Sequence, residues 1–224
     1  MSTFISELPK VELHLHIEGT LEPEMVFALA RRNGITLDYQ DESALKAAYQ
    51  FEDLQSFLDV YYQGMQVLLT EQDFFDLTWA YLCRAHAEQV RHVEIFFDPQ
   101  AHTGRGVPLA VVVSGIGRAL EQARLQWGLT SRLIMSFLRH LSEESAFDTL
   151  HHAEPFRQQL SGIGLDSAEK GNPPTKFTQV YAAAREQGYR LVAHAGEEGP
   201  ASYIRDALDI LEVERIDHGV AAIT

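Results

Sequence analysis

Short apolar runs alternate with amphipathic segments from residue 92 of this 224-residue chain onward. Apolar residues at helical spacing predict helices, and the short runs predict strands. Strands that alternate with helices form a parallel sheet, because each helix returns the chain to the edge where the next strand begins. The predicted strands are 92–97, 132–138, 162–166, 190–195 and 215–219, and the predicted helices are 106–128, 143–160, 176–187 and 201–212.

The N-terminal part predicts one more strand, for six in all. Apolar and polar residues alternate from Val11 onward, and this pattern ends at Gly19. Residues two apart on a strand share a face, so His14 and His16 should project together with Cα atoms roughly 6 to 7 Å apart. A helix is predicted over 23–32, and apolar residues at helical spacing between 42 and 88 predict an insertion of three packed helices.

The composition limits the partners and the compartment. Eighteen Lys and Arg against 32 Asp and Glu give a formal net charge of −14, which repels nucleic acid and anionic membranes. Cys83 is the one cysteine, so neither an internal disulfide nor a Cys-rich zinc site is expected. With no leader-like N-terminus and no composition shift, we expect a cytoplasmic protein with a single domain over 1–224.

Polar residues follow the predicted strands where each strand ends. In parallel barrels the working groups come from the C-terminal ends of the strands, so these positions are candidates for chemistry. They are His14, His16, Asp98, Arg139, Asp166, His194, Glu197 and His218. His102 and His140 follow the second and third strands and could also line a pocket.

Three of these positions combine into a pattern that suits a metal. A His14-x-His16 pair can share one metal ion, although a half-exposed strand with its polar side toward water would give the same pattern. His194 adds a third imidazole, and Glu197 lies three residues beyond it in a glycine-containing loop. Such a loop allows the carboxylate to serve as a proton donor beside the metal. His218 is either a further site residue or a satisfied core histidine.

These segments together resemble the adenosine deaminase family of metal-dependent hydrolases. Residues 10–19 (KVELHLHIEG), 194–197 (HAGE) and 215–219 (RIDHG) carry the resemblance, which extends over the whole chain. Residues 96–103, 136–144 and 164–169 look like the adenine deaminase branch. The resemblance implies an α/β fold, a TIM-type (β/α) barrel with a helical insertion after strand 1.

The resemblance also implies roles for individual residues. It implies that one zinc ion is bound by His14, His16 and His194, that Glu197 protonates the purine ring, and that His218 orients the attacking water. Asp98, Ser167 and Glu169 lie in segments expected at the substrate end. The implied reaction is hydrolysis of adenine to hypoxanthine and ammonia, in purine salvage. The partner would be a small purine, with no nucleic acid and no membrane.

The sequence departs from the family pattern at its C-terminal side. The family continues to a Ser-Asp-Asp-Pro segment, whose first Asp completes the zinc shell and whose second Asp binds the purine, whereas this sequence ends at Thr224. About six of the eight βα units of a TIM barrel are present. Either the sequence is a fragment, or the barrel is truncated and inactive with a binding role, and we expect residues 1–224 alone to be weakly active or inactive. Adenosine and N6-substituted adenine are the alternative substrates.

Overall fold

The computed structural model describes residues 3–223. The strands are β1 (Lys10–His16), β2 (Val90–Phe97), β3 (Thr130–Leu138), β4 (Gly162–Asp166), β5 (Arg190–Ala195) and β6 (Arg215–His218). The helices are α1 (Thr3–Glu7), α2 (Pro23–Asn33), α3 (Glu42–Ala47), α4 (Leu54–Gly64), α5 (Glu71–Ala87), α6 (Pro99–Thr103), α7 (Leu109–Trp127), α8 (Glu143–Ala153), α9 (Thr178–Glu186) and α10 (Ala201–Asp209). Helix α5 begins at a capping box, in which the Thr70 side chain accepts from the Asp73 amide. Among the described helices, none is both long and apolar enough to span a membrane.

The six predicted strands and the three helices of the insertion are confirmed, while some boundaries were wrong. The first strand was expected to reach Gly19, but β1 ends at His16 because Ile17–Thr20 form a 3-10 turn, in which the Thr20 hydroxyl donates to the Ile17 carbonyl at 2.8 Å. Helix α8 stops at Ala153 and not at residue 160. Pro155 explains this, because proline has no amide hydrogen with which to continue the α-helical hydrogen bonds, and Glu154–Phe156 form a 3-10 turn instead. Helices α1 and α6 were not predicted, since five residues are too few to show a period.

The chain forms two compact units. Unit 1 comprises the described parts of 1–95 and 102–132, and unit 2 those of 96–101 and 133–224. Hydrogen bonds order the strands β1-β2-β3-β4-β5-β6, and β2 and β3 contribute residues to both units. The single domain expected over 1–224 stays a prediction.

In unit 1, helix α5 packs closely against helix α7. A Cβ on Gly115 of α7 would lie 2.4 Å from the carbonyl oxygen of Glu71 and 2.6 Å from the Cβ of Phe74, so only glycine permits this approach. At the other end of the pair, the rings of Trp79 and Trp127 stack with centroids 4.7 Å apart. The two helices are therefore in close contact at both of these points.

In unit 2, strands β3 to β6 are parallel neighbours and their ends are in register. Leu138 pairs with Asp166 between β3 and β4, and Ala195 pairs with His218 between β5 and β6. All five residues of β4 are buried, as expected for a parallel strand covered on both faces. This register brings the polar residues that follow each strand to one edge of the sheet.

Candidate active site

The first pair of site residues lies at the end of β1 in unit 1. The side chains of His14 and His16 share a face of the strand, with ring centroids 5.4 Å apart and ring planes inclined by 57°. Their Nε2 atoms are 3.3 Å apart. The predicted projection from one face is therefore what the strand geometry gives.

The separation of these two nitrogens fits a shared zinc ion. Zinc holds imidazole nitrogens at about 2.0 to 2.1 Å in tetrahedral geometry, which places two such nitrogens about 3.3 to 3.4 Å from each other. The observed 3.3 Å between the His14 and His16 Nε2 atoms matches that distance. Imidazole nitrogen is also a common ligand of zinc, as it is of copper, iron and nickel.

A buried network holds the turn that follows this pair. The side chains of Glu18 and His102 are both fully buried, and Glu18 Oε1 lies 2.9 Å from His102 Nε2. Arg105 donates from Nη2 to His102 Nδ1 at 2.8 Å, so His102 is placed to donate from Nε2 to the carboxylate. The Tyr61 hydroxyl lies 3.4 Å from the other carboxylate oxygen of Glu18. The 3-10 turn after His16 is thereby tied to the residues that follow β2.

The second pair of site residues lies in unit 2 at the ends of β5 and β6. The rings of His194 and His218 have centroids 5.0 Å apart, and one nitrogen of each ring lies within 4.8 Å of one of the other. His194 is 5% exposed and its ring meets that of Phe96 edge to face at 5.8 Å. His218 has φ of 73°, a left-handed conformation that costs a non-glycine residue of the order of 1 kcal/mol.

Glu197 and His218 face each other in this unit. Glu197 Oε2 lies 3.4 Å from His218 Nε2. Burial raises the pKa of the Glu197 carboxyl from 4.5 to about 7, with further upward contributions from the charges of Glu169 and Glu198 and a downward one from Arg139. Burial lowers the pKa of His218, against the charges of Asp217 and Glu169. Glu197 is consequently an acid that can hold or release a proton near neutral pH.

Two buried charged residues surround the segment that carries Glu197. The Arg139 and Glu169 side chains are fully buried in unit 2. Glu169 accepts hydrogen bonds from three backbone amides within 196–199, and Arg139 donates one to the carbonyl of His194. Both therefore contact the backbone of residues 194–199.

The remaining strand ends of unit 2 carry further polar groups. Asp98 and Asp166 are 2% and 3% exposed, and one carboxylate oxygen of each lies within 4.8 Å of one of the other. Ser167 follows with φ of 75°, and its hydroxyl lies 2.8 Å from His140 Nδ1. Burial lowers the pKa of His140, and the charge of Lys176 lowers it further. These groups could hydrogen-bond a polar heterocycle.

The predicted site residues thus form two groups, one in each unit. Unit 1 contains His14 and His16, and unit 2 contains Asp98, Ser167, Glu169, His194, Glu197 and His218. The roles assigned to them from the sequence stay predictions. Sequence reasoning missed the Glu18–His102 contact and the backbone contacts of Arg139. The available signal was that Arg139 directly follows an apolar strand, at a barrel's functional end.

Solved structures show which class of protein has this fold. The crystal structure of adenine deaminase from Arthrobacter aurescens is 58% identical with a TM-score of 0.94, and it matches 96% of this chain and 66% of its own. An amidohydrolase from Burkholderia ambifaria, solved with bound Zn, is 32% identical with a TM-score of 0.90 over 100% of this chain and 63% of its own. These neighbours are amidohydrolase (β/α) barrels, which confirms the expected fold class, with six strands in the described residues.

The particular family follows from the sequence. Residues 9–224 match the model of the adenosine deaminase family, to which the chain belongs. Adenine deaminase of Cupriavidus taiwanensis is 64% identical over 219 residues, 98% of this chain and 62% of that protein. Adenine deaminase of Ralstonia pickettii is 62% identical over 223 residues, 98% of this chain and 65% of that protein. The chain spans less than two thirds of the length of these relatives.

Proposed function

We propose that the protein hydrolyses adenine to hypoxanthine and ammonia, using a single zinc ion. The observation that carries this proposal is the Glu197 carboxyl, whose pKa is raised to about 7 and which lies 3.4 Å from the imidazole of His218. An acid that titrates near neutral pH is what protonation of a weakly basic ring nitrogen requires. Relatives named adenine deaminase at 62 to 64% identity support adenine as the substrate.

We propose His14, His16 and His194 as the protein ligands of the zinc ion. The 3.3 Å between the Nε2 atoms of the first two supports a shared tetrahedral metal. The amidohydrolase that was solved with bound Zn supports the identity of the metal. The ion would supply Lewis acidity, which makes water nucleophilic near neutral pH.

Glu197 and His218 divide the proton chemistry between them. Glu197 gives its proton to the ring nitrogen N1, which makes the neighbouring C6 more electrophilic. His218, with a lowered pKa, stays neutral near pH 7 and can accept a hydrogen bond from the attacking water, which orients it. Loss of ammonia from C6 then completes the reaction, in which water is the second substrate.

Asp98 and Ser167 are our candidates for contacting the purine, whereas the Glu169 carboxylate already accepts three backbone amides. We propose that the ligand of the protein is a small purine and that the reaction serves purine salvage. We further propose a cytoplasmic location, in keeping with the exposed free thiol of Cys83.

A substrate panel tests the proposed reaction. The protein as encoded, with any residues that follow position 224, is loaded with zinc, and ammonia release is measured with adenine, adenosine and N6-methyladenine. We expect adenine to give the highest kcat/KM. Preference for adenosine or the N6-substituted base would refute the substrate assignment, and release of no ammonia from any of the three would favour a binding role.

Matched variants test the roles of the residues. Glu197→Gln should lower kcat by at least about 100-fold, the scale of general acid catalysis, while retaining zinc. Glu198→Gln removes the same charge at the next residue and should stay within a few-fold of wild type. His14→Ala and His194→Ala should each lower the zinc content measured by elemental analysis. Retention of one zinc per chain in both would refute the ligand set.

A further inference from the structure

We propose that Arg139 and Glu169 are positioning residues that clamp the turn 194–199 by hydrogen bonds, Glu169 at its amides and Arg139 at a carbonyl, and so hold Glu197 in place for proton transfer. This inference deepens the proposed function, on which its catalytic part rests. It assigns Glu169 to the protein backbone and not to the substrate. All the contacts that carry it lie within unit 2.

Glu169 accepts hydrogen bonds from the backbone amides of the turn. Its Oε1 accepts from the Gly196 amide at 2.7 Å, and its Oε2 accepts from the amides of Glu198 and Gly199 at 2.8 and 2.7 Å. Both oxygens of a fully buried carboxylate are therefore committed to three backbone donors. Charge-assisted hydrogen bonds of this kind are about twice as strong as neutral ones. The amides on both sides of Glu197 are fixed by this single side chain.

Arg139 donates a hydrogen bond to a backbone carbonyl of the same turn. Its Nη1 donates to the His194 carbonyl at 2.7 Å, and its Nε donates to the Asn172 carbonyl at 2.9 Å. Burial lowers the pKa of Arg139, and the charge of Glu169 opposes that effect most strongly. The two buried charges therefore compensate each other electrostatically, which a buried cation or anion needs.

The turn itself is shaped to admit the carboxylate. A Cβ on Gly199 would lie 2.7 Å from the Glu169 Cδ and 2.7 Å from a ring carbon of Tyr203. Gly196 has φ of 68°, where a side chain would be strained. The sequence HAGEEG thus places glycine at 199, where Glu169 comes close, and at 196, where φ is positive, with the acid Glu197 between them.

Two buried opposite charges with a purely structural role would also explain these contacts, so the test needs a readout that stability alone does not move. In Glu169→Gln, one oxygen and one NH₂ group replace two oxygens, and the NH₂ group would face a backbone amide. The turn should then shift while the rest of unit 2 stays folded. The negative charge that raises the pKa of Glu197 would also be lost.

The experiment compares Glu169→Gln, Glu169→Asp and Arg139→Lys in the zinc-loaded protein as encoded. A matched control is Glu143→Gln, because Glu143 also accepts two backbone amides, those of Gln179 at 2.6 Å and Val180 at 3.0 Å, elsewhere in unit 2. The readouts are kcat and KM for adenine, the pH profile of kcat, and hydrogen exchange of the peptide that covers 196–199.

We expect Glu169→Gln to lower kcat by at least 10-fold with KM within about 3-fold, and to move the high-pH limb of kcat to lower pH. Amide exchange in 196–199 should accelerate, Glu169→Asp should recover part of both effects, and Glu143→Gln should match wild type. If Glu169→Gln does not fold, Glu169→Asp and Arg139→Lys decide on the same readouts. A rise in KM alone with unchanged exchange would overturn the proposal in favour of substrate contact by Glu169. If the wild type does not act on adenine, the proposed function fails, and the exchange data still decide whether the clamp exists.

Discussion

Replacing Glu197 with glutamine should make the metal-free protein more stable at alkaline pH. The Glu197 carboxyl is an acid whose pKa rises from 4.5 to about 7 on folding, chiefly because it is buried. The folded state therefore binds this proton more tightly than the unfolded state does, and the free energy of unfolding falls as the pH rises from 4.5 to 7. Glutamine stays neutral, so the variant escapes that loss.

The magnitude follows from the displacement of the pKa. Each pH unit corresponds to about 1.36 kcal/mol, so the interval from 4.5 to about 7 corresponds to about 3 kcal/mol. The side chain is 23% exposed, so only a modest part of this is lost to solvent screening. Relative to wild type, Glu197→Gln should gain about 1 kcal/mol at pH 5 and about 2 to 3 kcal/mol at pH 8.5.

Urea unfolding of the chelated proteins at pH 5 and pH 8.5 measures both values. Glu198→Gln is the comparison, because its carboxylate lies 3.2 Å from the amine of the exposed Lys170, an ion pair expected to contribute less than about 1 kcal/mol. Its charge raises the pKa of Glu197 less than burial does, so its pH-dependent effect should be smaller than that of Glu197→Gln. A Glu197→Gln gain that is equal at the two pH values, or absent at both, would refute the reasoning that burial raises this pKa.

Two further substitutions test the packing and the charges of the fold. Gly196→Ala should destabilise the protein by about 2 to 4 kcal/mol, because φ is 68° and the new Cβ would lie 2.5 Å from Ile204 Cδ1. Thermal unfolding measures this loss of stability, and adding Ile204→Ala to the variant should relieve part of it. Asp73→Asn should cost about 3 kcal/mol at pH 7, because it removes one partner of a buried charge pair. Burial raises the pKa of Asp73, but hydrogen bonds from Arg32, backbone amides and Asn33 more than offset this effect, so the pKa lies below 3.8. The lowered pKa of Asp73 stabilises the fold above pH 3.8, and that stabilisation is lost as the pH falls through the folded-state pKa. Urea unfolding at pH 7 and pH 3 should therefore show a smaller cost of Asp73→Asn at pH 3. An equal cost at the two pH values would contradict the charge argument.

Local patterns in the sequence determined the elements of the fold and the positions of the candidate site. The period of two in β1 placed His14 and His16 on one face, and the apolar run of β5 placed His194 at a strand end. These predictions succeeded because strand periodicity and turn chemistry depend on residues close in sequence. The predicted end of β1 was wrong, because the alternation of apolar and polar residues continues into the 3-10 turn Ile17–Thr20.

Only the tertiary structure decided what surrounds those residues. Glu169 meets the 196–199 amides across about 30 residues of sequence, and Glu18 meets His102 across 84. The pKa of Glu197 likewise depends on burial and on charges brought by other strands. No sequence period encodes such contacts, because desolvation and Coulomb interactions depend on distance in space.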